Sequence, residues 1–118
     1  VHFISLQRNP QKAEFKRLKA ALGVDVHDFS EYNKDLSLML ALLSKLDDYI
    51  SVSNANLHLH ACLQKKAHMM ISYPWDWRWV GVRDICVGYP FFNSYRQTSE
   101  GVWKNLRELS NNLSKKYL

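Results

Sequence analysis

The chain reads as an α/β fold with a mainly parallel sheet flanked by helices. Three observations point that way. Short apolar runs of strand length alternate with segments that carry the 3.6-residue period of helices. No tight hairpin turn separates successive strand candidates, so the connections read as right-handed crossovers. At Ser53-Asn54 a β-rich run stops and a helical pattern begins at once, as at the strand-to-helix junctions of open α/β sheets.

The elements follow in order. Val1 to Leu6 is a short apolar strand candidate that ends at Gln7. Pro10 stands where a helix would start, and Phe15, Leu18 and Leu22 follow on one face. Lys12, Lys16 and Lys19 take the wet side, which reads as solvated surface, and Gly23 closes the helix. Val24 to His27 is a second strand candidate. Residues 33 to 46 carry Leu36, Leu38, Met39, Leu40, Leu42, Leu43 and Leu46, so that helix should be covered by neighbours on most sides. Tyr49 to Val52 forms the next strand and 54 to 64 the next helix. Ala67 to Ser72 is another strand, broken at Tyr73-Pro74. The segment 75 to 92 holds aromatics, two Gly and a Pro without a period, and is expected to be a long ordered loop. Asn93 to Arg96 reads as a last strand. A closing helix over 99 to 115 would place Val102, Leu106, Leu109 and Leu113 on one face. Repeats, linkers and low-complexity tracts are missing, so residues 1–118 are expected to form one domain.

Composition narrows the class. The 118 residues are 47% hydrophobic and 23% charged, a globular rather than a disordered balance. Sixteen Lys and Arg against eleven Asp and Glu give a net charge of +5, which suits phosphate, nucleotide or nucleic-acid partners without choosing among them. Cys62 and Cys86, with no CxxC pair, read as reduced core thiols of a cytoplasmic protein. No apolar run approaches the roughly 20 residues of a membrane span. The start at Val1-His2-Phe3, without Met, reads as the start of a piece cut from a longer protein.

Chemistry is expected outside the carboxyl ends of the strands. Three polar clusters fall there: Gln7-Arg8-Asn9, Ser53-Asn54-Ala55-Asn56 and Tyr73-Pro74-Trp75-Asp76. Ser53 or Asn54 can cap the helix behind it, where free N–H groups and the positive dipole end receive a phosphate. Ala55 is small enough to let a ligand approach the backbone, and His58 lies about one turn in, within reach of a phosphate oxygen. The same Ser-Asn pair also describes an ordinary cap with no ligand. His58 and His60 stand two apart and face opposite sides of a helix, and no carboxylate or cysteine completes a shell. No metal site is expected. Trp75-Asp76-Trp77-Arg78-Trp79 has two readings of equal weight. It could be an aromatic wall with Arg78 offering charge to an anion, or a loop pinned by its own Trp side chains with an Asp76–Arg78 contact. Four glycines in separate places build no glycine-rich phosphate loop.

These motifs resemble a known family. The segment Ser53-Asn54-Ala55-Asn56-Leu57-His58-Leu59 with the strand before it looks like the V-D-T-x-x-x-H-L-A-G-A-L-G-K-P element of bacterial GT-B glycosyltransferases. The heptosyltransferase-like group and domains attached to tetratricopeptide repeats are nearest. Those domains carry P-x-P-D-W-R-W, then W-Y-P, then R-Q and a terminal helix with Trp. Here stand Tyr73-Pro74-Trp75-Asp76-Trp77-Arg78-Trp79, then Gly88-Tyr89-Pro90, Arg96-Gln97 and Trp103. Phe3-Ile4-Ser5-Leu6-Gln7 is similar to their F-V-S-L-Q, and Asp28-Phe29-Ser30 to their D-F-A. The family's Asp is Ser53 here and its Thr is Asn54, so a charge is lost while capping capacity stays.

The resemblance implies a Rossmann-like domain, part of the C-terminal half of a GT-B enzyme, that binds a nucleotide-sugar donor. It puts Ser53, Asn54, Ala55 and Asn56 at the donor diphosphate, with His58 close by, and Gln7 and Asn9 near the nucleotide or the transferred sugar. It implies no cofactor, the nucleotide sugar being substrate. It also implies that a first strand-helix unit and an N-terminal acceptor-binding domain lie outside these residues. The catalytic base would then lie outside too, and the piece alone would not catalyse transfer. A sheet edge left exposed by the missing unit could drive self-association. Two other roles compete: a non-catalytic binding or scaffolding domain of the same descent and, ranked last, a basic nucleic-acid binder.

Overall fold

The computed structural model of the chain describes residues 1–82 and 85–117. The fold is α/β, with parallel strands joined through helices. It divides into two compact units, Val1–Ala41 and Leu42–Leu118.

In the first unit β1 (Phe3–Ser5) leads to α1 (Lys12–Leu22) and back to β2 (Val26–Asp28). The strands pair in parallel, Phe3 opposite Val26 and Ser5 opposite Asp28. Gly23 ends α1 in the left-handed region at φ 65°, its N–H donating to the Lys19 carbonyl. Only glycine takes that conformation at no steric cost. The leucine-rich segment is shorter than its pattern predicts. A 3₁₀ turn, Ser30–Lys34, precedes α2 (Leu36–Lys45). Asp35 divides the two because its carboxylate accepts from the Ser37 and Leu38 amides at 2.8 and 3.0 Å, which caps the new helix.

In the second unit β3 (Ile50–Val52) passes through α3 (Ala55–Cys62) to β4 (Ala67–Ile71). Two short strands follow, β5 (Gly81–Val82) and β6 (Ile85–Cys86), then β7 (Phe92–Ser99), β8 (Val102–Trp103) and α4 (Leu106–Tyr117). The main sheet has the order β3-β4-β7-β8. Its first three strands are parallel, and β4 lies between two partners. That central position explains why four of its five residues are buried despite the lack of alternation. Its buried His68 is satisfied by the Tyr95 hydroxyl at 3.0 Å.

Two expectations change here. The segment 75 to 92 is not wholly loop: β5 and β6 pair antiparallel, and a Cβ at Gly81 would stand 1.8 Å from the Ile85 carbonyl oxygen. The closing helix starts at Leu106 because the chain first turns back at Gly101, φ 76°, to lay β8 antiparallel on β7. Val102 therefore belongs to a strand. These antiparallel pairs are the hairpins whose absence the pattern suggested. Asp48 holds the far end of α4, accepting from Lys116 Nζ at 2.6 Å and from the Tyr117 hydroxyl. Among the described residues no helix is long and apolar enough to cross a membrane.

Candidate functional site

The site grows from the cap of α3. Asn54 has extended backbone, and its Oδ1 accepts from the Leu57 amide at 2.9 Å. Its Nδ2 donates to Ser51 Oγ at 2.7 Å, which fixes the amide orientation. Leu57 and His60 are fully buried behind it, so the helix is fixed at its start and along its inner face. Asn54 is thus the cap of the Ser-Asn pair, and Ser53 is left exposed in front of it.

A cavity of about 380 Å³ opens beside Ser53. Its lining combines the carboxyl ends of β3 and β4 (Val52, Ser53, Met70, Ile71, Ser72) with Pro74, Asp76 and Trp79. Two of the three polar clusters anticipated from sequence therefore meet at one strand edge. Gln7 and Asn9 belong to the first unit. There Gln7 Nε2 donates to Glu14 Oε2 at 3.1 Å, and Asn9 takes a positive φ of 51°.

The tryptophan run satisfies parts of both its readings. Trp79 is 1% exposed and walls the cavity. Trp75 is a pin: its Nε1 donates to the Gln97 carbonyl at 2.8 Å, and the Arg96 guanidinium lies 5.2 Å over its ring. Trp77 stands 80% exposed. Arg78 grips Asp76 in a fork, Nε to Oδ1 at 2.9 Å and Nη2 to Oδ2 at 2.6 Å. The Arg78 side-chain and backbone hydrogen bonds hold the Asp76 carboxyl down at about 2. Tyr73 is half exposed, and its amide donates to Gln97 Oε1 at 2.9 Å.

His58 is engaged by aromatic neighbours. Its ring stacks on Trp79 with centroids 5.3 Å apart and planes 19° apart, and Nδ1 pairs with the Tyr89 hydroxyl at 2.7 Å. His60 faces the other way, its Nε2 donating to the Lys66 carbonyl at 3.0 Å. Burial lowers its pKa below the ordinary histidine value. The cysteines split: Cys86 is buried as expected, whereas Cys62 is exposed rather than a core thiol, because it falls on the outer side of α3's last turn.

Sequence reasoning missed three participants. Ser72 reads as the end of a strand, yet it lines the cavity. Gln97 ties down both Tyr73 and Trp75. The third is the indole N–H of Trp79, which is buried with no hydrogen-bond partner among the described residues. Nothing in a pattern of residue types signals an unsatisfied donor.

No family model, curated protein or solved structure matches this chain. The glycosyltransferase resemblance rests on the motifs quoted above.

Proposed function

We propose that the second unit binds the diphosphate of a nucleotide-sugar donor, as the donor half of a metal-independent glycosyltransferase. The observation that carries this reading is the cavity at the carboxyl edge of β3 and β4, next to the Asn54-capped mouth of α3 and walled by the Trp79 ring. Parallel strands deliver ligands to that edge, and a helix mouth offers oriented N–H groups to an oxyanion. In such an enzyme those groups would stabilise the leaving diphosphate by electrostatics and positioning.

The unit's share is binding rather than proton transfer. Asp76, the carboxylate in the cavity, is held by Arg78 with a pKa of about 2, too acidic for a base that must work near neutrality. The same observation supports the alternative of a non-catalytic binding domain of glycosyltransferase descent. An enzyme would need its base from another domain; a scaffold would need none.

Calorimetric titration with nucleoside diphosphates and their hexose esters tests the reading. Asn54→Asp keeps a good cap but sets a negative charge at the helix mouth. It should weaken diphosphate binding about tenfold or more, about 1.4 kcal/mol. His58→Ala, which removes the ring stacked on Trp79, should weaken it less. Failure of every compound to bind the wild-type protein would overturn the proposal.

A further inference from the structure

By residue pattern alone Lys12, Lys16 and Lys19 are solvated surface. The structure sets them around a cavity of about 310 Å³ in the first unit, with Pro10, Phe15 and Asp28 completing its lining. They stand at i, i+4 and i+7 of α1, so their backbone positions rise by about 6 Å and then about 4.5 Å along one side of the helix. Three ammonium-bearing side chains thus share one wall, spread over roughly 10 Å of helix.

Their existing partners cancel only part of that charge. Lys19 Nζ lies 3.4 Å from Asp25 Oδ1 and 5.4 Å over the Phe15 ring. Among the described residues no carboxylate pairs with Lys12 or Lys16. Asp28, the acid in the lining, has Oδ1 engaged by the Ser30 amide at 2.9 Å. Pro10 and Phe15 bring apolar surface to the same cavity. Apolar walls keep water from part of it and strengthen the pull of each ammonium on an anion.

The same features set the size of the anion. A lone phosphate is too short to answer the whole row. A long polyanion continuing past Lys19 would meet the Asp25 carboxylate, which stands at that end. A short chain of phosphates seated over Lys12 and Lys16 meets neither objection, and the cavity volume sits at the lower end of ligand pockets, roughly 300–1,000 Å³.

We infer that this cavity binds a short polyphosphate chain, a di- or triphosphate, either inorganic or carried by a nucleotide. Lys12 and Lys16 grip the chain, and Lys19 adds its field from one end. All of these residues lie in the first unit, so the site stands independently of the donor reading for the second.

The test is an NMR titration of the full chain, because amide shifts locate binding on α1 or at the mouth of α3. The probes are inorganic phosphate, diphosphate, tripolyphosphate and ATP. Tripolyphosphate should shift the amides around Lys12 and Lys16 and bind about tenfold tighter than inorganic phosphate. Raising salt from about 50 to about 200 mM should weaken it several-fold. ATP matching tripolyphosphate within about threefold makes the inorganic chain sufficient, whereas a larger margin for ATP makes a nucleotide the source. Lys12→Gln with Lys16→Gln should weaken tripolyphosphate about tenfold. Both positions are exposed, and a thermal unfolding scan checks that the variant folds. Lys104→Gln with Lys115→Gln changes exposed charge equally in the second unit and should leave the α1 titration within about twofold.

The assignment falls if tripolyphosphate leaves the α1 amides unmoved, binds no tighter than inorganic phosphate, or binds the Lys12/Lys16 variant as it binds wild type. It also falls if single-stranded RNA of about ten nucleotides binds α1 more tightly than ATP, which would make the row a nucleic-acid surface. Shifts at residues 54–58 alone would support the donor reading and overturn this one. Shifts on α1 that survive Asn54→Asp establish this site whatever the outcome for nucleotide sugars.

Discussion

The segments Phe3–Asp28 and Ile50–Ile71 share a strand–helix–strand plan and differ in what secures the helix. Helix α1 starts behind Gln11, whose side chain caps nothing, and buries none of its residues fully; Gly23 closes its end. Helix α3 is shorter, yet it is capped by Asn54 and buries Leu57 and His60 completely. The cavities beside them differ in the same sense. The one at α1, about 310 Å³, is lined by Lys12, Lys16 and Lys19 with Pro10, Phe15 and Asp28. Among the described residues, the one at α3 has no lysine or arginine in its wall. Exposed lysines attract anions in general, whereas two hydroxyls and a carboxylate beside an aromatic ring discriminate by hydrogen-bond pattern and shape. Selectivity is therefore expected at the better anchored of the two helices.

The largest test of that contrast is in the core. Leu57→Ala should cost about 2–5 kcal/mol in urea unfolding, because it empties a fully buried site. Leu18→Ala on α1, at a position 41% exposed, should cost a small fraction of that. Equal losses would break the comparison.

Next come the caps. Asn54→Ala should lose about 1 kcal/mol, whereas Gln11→Asp, which supplies α1 with the cap it lacks, should gain roughly 0.5–1 kcal/mol. Amide exchange in the two helices distinguishes these local effects from a global change.

The gentlest perturbation is mild acid, and it separates the helices because α1 contains no histidine while α3 contains a buried one. Burial lowers the pKa of His60 below 6.5, outweighing the Lys66 carbonyl that favours its charged form. Between the folded pKa and 6.5 the unfolded chain binds more protons, so stability rises with pH there. The contribution is complete above pH 6.5 and is lost as pH falls below it. His68 is lowered in the same direction, again by burial, against the pull of Asp48. The unfolding midpoint should therefore fall from about pH 8 to about pH 5, and His60→Gln should flatten only part of the slope. A slope unchanged in that variant would remove His60 from the account.

The parts of the fold legible in sequence are those set by local chemistry. Asn54 declares itself as a cap by residue type, and Gly23 as a terminator by its place after a periodic run. The parallel core follows from alternating periods. What escaped was decided by tertiary contacts. Val102 sits four residues before Leu106, which mimics a helical face, but the turn at Gly101 sends it into a strand. Gly81 looks like loop punctuation until the Ile85 carbonyl approaches it. At the site, Ser53 and Asp76 were visible as polar residues at strand ends. Ser72, Gln97 and the indole of Trp79 gain their roles only when β4, β7 and the tryptophan run come together.

The placement of the two thiols decides how ligand binding can be watched. Cys62 is exposed on the last turn of α3, its Sγ 3.4 Å from the His58 carbonyl, whereas Cys86 is fully buried beneath the Trp79 carbonyl. Burial also raises the Cys86 pKa, against the opposing influence of Arg96, which keeps that sulfur in its unreactive form. A maleimide dye added to the native protein would therefore label one position, two turns along the helix whose mouth borders the cavity, with no engineered cysteine required.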